Sequence, residues 1–317
     1  MTQLNSFKTF KSFSEMLKVL PDETACRKYL ELILWKGEPV CPHCGTKNEN
    51  HYQLKTKGTF KGQYKCKDCR ERFTVTVGTI FEGSHIDLRK WFIGIYIFSS
   101  HKKGISSHQL GRDLGLTQKS AWFMLGRIRY AFQVKSLKTK MDGLIAADES
   151  FFGGKNKNRH ADKKIADSQG RSVKDKTPVF GMMQTGGNVH LSVVPDTKAS
   201  TLKPIIQQMV AEGSIIVTDE WLGYSGLSKD FAHVVINHQE NEYVRGAFHT
   251  NNIENFWSLL KRGVYGIYHQ VSPKHLHRYC DEFSYRFNAR KVTDNKRFDI
   301  SLAKTQGRLT YKELIQK

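Results

Sequence analysis

Two Cys-x-x-Cys pairs, Cys41-Pro-His-Cys44 and Cys66-Lys-Asp-Cys69, stand 21 residues apart near the start of the chain. Each pair can present two thiolates from one tight turn, and two such turns close a tetrahedral site of the zinc-ribbon kind. Gly45 follows the first pair, where a metal knuckle has to bend. The stretches 52–54, 62–64 and 72–77 are short, polar and β-prone, too small to build an apolar core. A structural Zn²⁺ held by Cys41, Cys44, Cys66 and Cys69 is therefore expected to organise residues 1–80, a helical segment followed by a ribbon. A disulfide framework would suit a secreted chain, but the opening residues lack an apolar signal segment. A redox Cys-x-x-Cys would not call for a second pair. His43 is expected to face solvent or nucleic acid, and Cys26 and Cys280, which sit in helical patterns, to act as small buried hydrophobes.

Fifty Lys plus Arg against 30 Asp plus Glu leave a net charge of +20, more than solubility requires, so a polyanionic partner is expected. The excess is concentrated in residues 1–140, where 25 basic and 11 acidic side chains give +14. Charge alone would also fit a ribosome-associated or merely basic protein. At 317 residues the chain suits a small recognition part joined to a catalytic part. No apolar run reaches the roughly 18 to 20 residues of a membrane span, so a cytoplasmic, nucleoid-associated chain without a membrane partner is expected.

Residues 81–140 carry a helix-turn-helix pattern. Leu110 and Leu114 share a face at four-residue spacing, Gly115 permits a bend, and Thr117 is an N-cap for a second helix running to about Tyr130. In DNA-binding versions the early residues of the second helix face bases, which here nominates Gln118, Lys119 and Trp122. A helical hairpin that serves only packing has the same pattern.

From Gly143 the texture becomes alternating strands and helices, an α/β pattern expected to form a domain over 141–295, with 296–317 as a tail. Leu144-Ile-Ala-Ala-Asp148 is an apolar run ending in an acid, and Ser214-Ile-Ile-Val-Thr-Asp219 repeats the design. Between them, residues 178–184 and 189–194 read as a hairpin about Thr185-Gly-Gly-Asn188, and 200–211 has helical spacing. Three antiparallel strands, a helix and a further acid-bearing strand is the order of an RNase H-like mixed sheet flanked by helices. Strand alternation sends Asp148 and Glu149, and likewise Asp219 and Glu220, to opposite faces, so one of each pair can join a given site. On the helix after Phe248, Ile253, Phe256, Trp257 and Leu260 form a buried stripe. Glu254, Ser258 and Lys261 fall nearly in line on another face.

Together these motifs resemble a zinc-ribbon-bearing transposase of the bacterial insertion-sequence type in the DDE superfamily. The resemblance rests on the paired Cys-x-x-Cys knuckles, on Asp148-Glu-Ser-Phe-Phe-Gly-Gly-Lys155, and on Thr218-Asp219 with Tyr224. It rests further on His249-Thr-Asn-Asn-Ile-Glu254-Asn-Phe-Trp257 with Lys261-Arg262, and on Tyr268-His-Gln-Val-Ser272-Pro-Lys-His-Leu276 leading to Arg290. It spans roughly residues 25–290, and the 34 residues between Asp219 and Glu254 also resemble the superfamily's spacing.

The resemblance implies cleavage and transfer of DNA strands at a site with two Mg²⁺ or Mn²⁺ ions, Asp148 bridging both and Asp219 and Glu254 holding one each. Its implied partners are double-stranded DNA, as transposon terminal inverted repeats and as target, and further copies of the chain in a homodimer or higher oligomer. Lys261, Lys155, His249 and Asn251 are candidates for touching the scissile phosphate or orienting Glu254; capping, turn or solvated roles are open to the same residues. The segment 155–176, with eight Lys or Arg and three Asp, is expected to be a basic loop. Two other functions share these motifs: a domesticated regulator that binds DNA without cutting it, and an RNase H-like nuclease without strand transfer.

Overall fold

The computed structural model describes residues 9–47, 51–55, 62–133, 140–154, 156–166, 168 and 172–316. They form two compact units, one made of residues 1–132 and 291–317, the other of 133–290.

The first unit opens with α1 (Phe13–Val19) and α2 (Glu23–Trp35), whose N-cap carboxylate Asp22 accepts the Ala25 N–H. The strands β1 (His51–Gln53), β2 (Tyr64–Cys66) and β3 (Arg72–Phe73) form an antiparallel ribbon in the order β1-β2-β3. Next come α3 (Leu88–Ser100), α4 (Ser107–Leu114) and α5 (Gln118–Ala131). Gly115 ends α4 at φ 59°, and the Thr117 side chain caps α5 by accepting the Ser120 N–H. The turn between these helices therefore has the chemistry expected of it.

The segment 296–317, expected to be a tail, instead belongs to this unit, together with the region 1–80 and the part of 81–140 up to Phe132, which were expected to stand as two domains. Phe298 and Leu302 are buried, and Phe298 packs at 5.6 to 6.4 Å from the rings of Phe10, Tyr29, Phe92 and Tyr96. The buried Arg127 guanidinium donates to the carbonyls of Leu309 and Ile80 at 3.0 and 2.9 Å. Apolar side chains in the last residues thus have a core to enter, and backbone carbonyls there satisfy a buried cation that would otherwise be costly.

The second unit contains β4 (Leu144–Phe152), β5 (Thr177–Gln184), β6 (Val189–Val193), α6 (Ala199–Met209), β7 (Ile215–Thr218) and β8 (Ala232–Val235), then α7 (Asn251–Gly266) and α8 (Pro273–Asn288). Back in the first unit, α9 (Asp294–Ala303) and α10 (Tyr311–Ile315) end the chain. The five-stranded sheet of the second unit has the order β6-β5-β4-β7-β8. β4, β5 and β6 pair antiparallel, whereas β7 and β8 run parallel to β4. This is the RNase H-like topology, with α6 in the core of one face and α7 and α8 in the core of the other.

Two features depart from expectation. β8 is an added edge strand, and β4 does not end at Asp148 but runs on to Phe152, because Glu149–Phe152 pair with Phe180–Thr177 of β5. On its other side, pairing of β4 with β7 stops at Ala146↔Val217. The sheet therefore opens beside Asp148 even though the strand continues.

Candidate active site

Strand phase delivers the first two acids. Ala146 belongs to the core shared with α7 and α8, so Asp148, two residues on, lies on that face, while Ile145 and Ala147 face the α6 core. Val217 is the register partner of Ala146, which puts Asp219 in phase with Asp148 just past the end of β7. Glu149 faces the other way and accepts a short hydrogen bond from the hydroxyl of Tyr224, a fully buried ring whose ionisation is strongly suppressed by burial and by that carboxylate. Glu220 accepts the His238 backbone N–H at 3.1 Å.

The third acid, Glu254, stands in the first turn of α7. The hydroxyl of Thr250 donates to it at 2.6 Å, and the His238 ring nitrogen lies 3.8 Å away. Asp148, Asp219 and Glu254 line one cavity of about 460 Å³, together with Glu149, His238, Thr250, Trp257, Ser258 and Lys261.

Of the sequence-nominated support residues, Lys261 reaches this cavity, while His249 and Asn251 are not among the residues lining it. Their neighbour Thr250 takes that place because its hydroxyl turns onto Glu254. Lys155 lies outside the described residues. His238 had no local sequence signal, since only the return of the chain after β8 carries it to the site.

The donor set suits hard divalent cations, which prefer carboxylate oxygens. Burial above all, aided by the neighbouring Asp219 and Glu254, raises the Asp148 carboxyl from 3.8 to about 6, against the opposing hydrogen bonds of the Glu149 backbone N–H and the Trp257 indole. Crowded acids of this kind call for positive charge. Among the described residues only the four cysteines bring all their ligand atoms within 4.8 Å of one another.

This burial has a measurable consequence. A carboxyl that holds its proton more tightly when folded makes folding less favourable as pH rises from 3.8 through about 6, and the penalty persists above that. The gap corresponds to at most about 3 kcal/mol. Without added divalent cations, Asp148→Asn is expected to raise the melting temperature of the 133–290 unit by several degrees at pH 7. The difference should disappear below about pH 4, where both side chains are neutral. Calorimetry at the two pH values checks this, and a variant less stable than the parent at pH 7 would contradict it.

In the first unit, Cys41 Sγ lies 3.7 Å from Cys69 Sγ, and Cys44 Sγ lies 3.6 Å from Cys66 Sγ. Metal–sulfur bonds of about 2.3 Å in a tetrahedron imply sulfur–sulfur edges of about 3.8 Å, so the four thiols already have nearly the spacing of a closed zinc site. Gly45 and Arg70, each following a Cys pair, take φ values of 76° and 64° and turn both knuckles alike. His43 is exposed beside the cluster. Cys26 is buried, which pushes its thiol up to about 12, and Cys280 is likewise buried and protonated.

Of the residues nominated for DNA, Gln118 and Lys119 are exposed on the first turn of α5. Gln118 donates to the Ser107 hydroxyl, and the Lys119 ammonium lies 5.1 Å from the Tyr311 ring centre. Trp122 is half-buried and packs edge-on to Tyr311, so it is at least partly a packing residue. Among the described residues no helix is long and apolar enough to cross a membrane.

A mixed sheet of RNase H-like order, opening onto acids carried by its two central strands and a following helix, defines a class of nucleic-acid-processing folds. Residues 140–288 match the ISXO2-like transposase domain, and residues 21–72 match the transposase zinc-ribbon domain. The chain belongs to this family of zinc-ribbon-bearing, ISXO2-like transposases. It is 26% identical over 281 residues to a protein of the transposable element ISH50 of Halobacterium salinarum, spanning 85% of this chain and 92% of that protein. It is 32% identical over 105 residues to a transposase-like protein of Haemophilus influenzae, spanning 33% of this chain and 84% of that protein. Among solved structures, a chain of the simian T-cell lymphotropic virus intasome in complex with PP2A regulatory subunit B56 gamma aligns with a TM-score of 0.28 at 13% identity. That alignment covers 62% of this chain and 65% of the other, a likeness too distant to carry argument.

Proposed function

We propose that this transposase cuts DNA at transposon ends and joins the freed strand to target DNA, with Asp148, Asp219 and Glu254 as its catalytic carboxylates. The observation that carries this reading is the convergence of the three acids and Lys261 on one cavity where β4 and β7 part. Two Mg²⁺ or Mn²⁺ ions bound there would supply Lewis acidity for an oxygen nucleophile and for the leaving oxygen. Asp148, whose carboxyl feels the charge of both other acids, would hold the ions together with Asp219 and Glu254. The Lys261 ammonium offers charge to the phosphate, and the Ser258 hydroxyl beside it can donate a hydrogen bond. The Thr250 hydroxyl holds Glu254 in place through its 2.6 Å hydrogen bond, with the His238 ring nitrogen 3.8 Å away. Water is the nucleophile for the first cut, and the resulting 3′-hydroxyl for the transfer, so no covalent enzyme intermediate is required.

Recognition is assigned to the first unit. The zinc ribbon and the exposed start of α5, with Gln118 and Lys119, are proposed to bind the terminal repeats as double-stranded DNA, in an oligomer that brings two ends together. Structural Zn²⁺ at the four cysteines keeps the ribbon folded. The test is incubation of the full chain with DNA carrying its candidate ends. Mg²⁺-dependent nicking at those ends is expected, with affinity falling steeply between roughly 50 and 200 mM salt as counterions are released from phosphates. Binding indifferent to salt, or no cutting with either Mg²⁺ or Mn²⁺, would count against the reading.

A further inference from the structure

Each candidate catalytic acid has one carboxylate oxygen held by a hydrogen-bond donor of the chain itself. Thr250 holds Glu254, the Trp221 backbone N–H holds Asp219 at 3.0 Å, and the Trp257 indole Nε1 donates to Asp148 Oδ2 at 2.9 Å. The first two donors are local to their acids. The third reaches from α7 to the sheet, across 109 positions of sequence.

That reach depends on a gap in β5. Gly181 is the register partner of Asp148 on the neighbouring strand, so a side chain at 181 would stand beside the carboxylate on the same face. A Cβ built at Gly181 would lie 2.6 and 2.7 Å from Cζ2 and Cη2 of the indole, closer than carbon atoms approach without something shifting. Glycine weakens a strand interior and marks places where another group comes close to the backbone. Here the group is an indole 4% exposed, which fills the site above Gly181 and aims its only polar atom at the acid. A side chain needed only for packing could be Phe or Leu, neither of which carries a donor.

We propose that Trp257 is a positioning residue for Asp148, and that Gly181 is the vacancy that admits it. The indole N–H fixes one oxygen of the carboxylate and thereby the direction in which the group meets cations. This rests on the metal reading of the site; groups that orient ligands in this way are generally worth about 10- to 100-fold in metal affinity.

Two kinds of measurement on the zinc-loaded full chain separate this claim from the reading beneath it. In ¹⁵N-labelled protein, the Trp257 indole resonance, assigned through Trp257→Phe, is expected to move when Asp148→Ala removes its acceptor. An unmoved resonance overturns the hydrogen bond with or without metal. Next, Mn²⁺ affinity, read by water-proton relaxation, is expected to fall about 10- to 100-fold in Trp257→Phe. Gly181→Ala should weaken it comparably, and the double variant should be no worse than Trp257→Phe, because the shorter ring vacates the contested space. If Trp257→Phe fails to fold, benzothienylalanine at 257, which replaces the N–H with sulfur within nearly the same outline, serves in its place. Folded variants with parental Mn²⁺ affinity, or losses that simply add, overturn the positioning role. A parent chain that shows the indole hydrogen bond but binds no Mn²⁺ overturns the metal reading instead.

Discussion

Cys41→Ser is expected to unfold the ribbon spanning β1 to β3 while leaving the 133–290 unit intact. The reason is the size of the ribbon's core: among the described residues, its buried cluster holds only Phe73 beyond Cys41 and Cys66, with Trp35, Tyr64 and Val77 packed partly against it. Three strands of two or three residues each cannot hold themselves together on so little apolar surface. Zinc binding to four thiolates contributes about 10 to 16 kcal/mol in small ribbon and finger peptides, comparable to or larger than the stability of a whole domain. Serine cannot replace a thiolate ligand, so most of that contribution should be lost. Hydrogen exchange checks the result: amides of residues 64–66 should lose protection, whereas those of β4 and β5 should keep theirs. DNA-end binding should weaken along with the ribbon. Protected ribbon amides in the variant, or equal loss in both units, would contradict the assignment.

What the sequence made legible and what it did not divide along physical lines. Period-two alternation set Asp148 against Glu149 and Asp219 against Glu220, because the pleat sends neighbours to opposite sides; the Ala146↔Val217 register is what puts Asp148 and Asp219 on a common face. The hairpin about Gly186, the Thr117 cap and the Cys knuckles were equally readable, since each is decided by residues within a few positions of one another. The failures are contacts made at long separation. Arg127 reaching Leu309, and Phe298 joining the aromatic cluster of α2 and α3, turn a supposed tail into core, and no local pattern in 296–317 announces that partner. β8 is an edge strand of four residues, Ala232-His-Val-Val235, whose side chains are exposed or only half-buried, too short for alternation to mark it. Within the site, the helical period assigned Trp257 to a buried stripe. It could not tell that one edge of the ring ends on a carboxylate across the sheet. His249 and Asn251 were nominated by nearness to the helix start, yet it is Thr250 that turns onto Glu254.

Asp219→Asn should abolish strand cleavage, and Glu220→Gln, one position away, should be mild. Asp219 extends the phase of Val217 and opens onto the cavity with Asp148 and Glu254. Glu220 is instead occupied with the His238 backbone N–H, a contact that a glutamine carbonyl can still accept. Removing charge at constant shape leaves packing nearly unchanged but takes an anionic ligand from cations whose transition-state stabilisation is worth several kcal/mol. A loss of about 10³-fold or more is therefore expected. Asp148→Asn and Glu254→Gln should be as inactive, with end binding retained in all three because recognition is assigned to the first unit. The measurement is a paired one, cleavage of labelled end DNA alongside its retention in a gel, on proteins each shown to be folded by its melting transition. Glu220→Gln is expected to stay within about tenfold of the parent, since a neutral acceptor loses only part of one charge-assisted hydrogen bond. If Glu220→Gln were as inactive as Asp219→Asn with fold and binding intact, the second carboxylate would have to be reassigned to Glu220, and the face on which the chain leaves β7 with it.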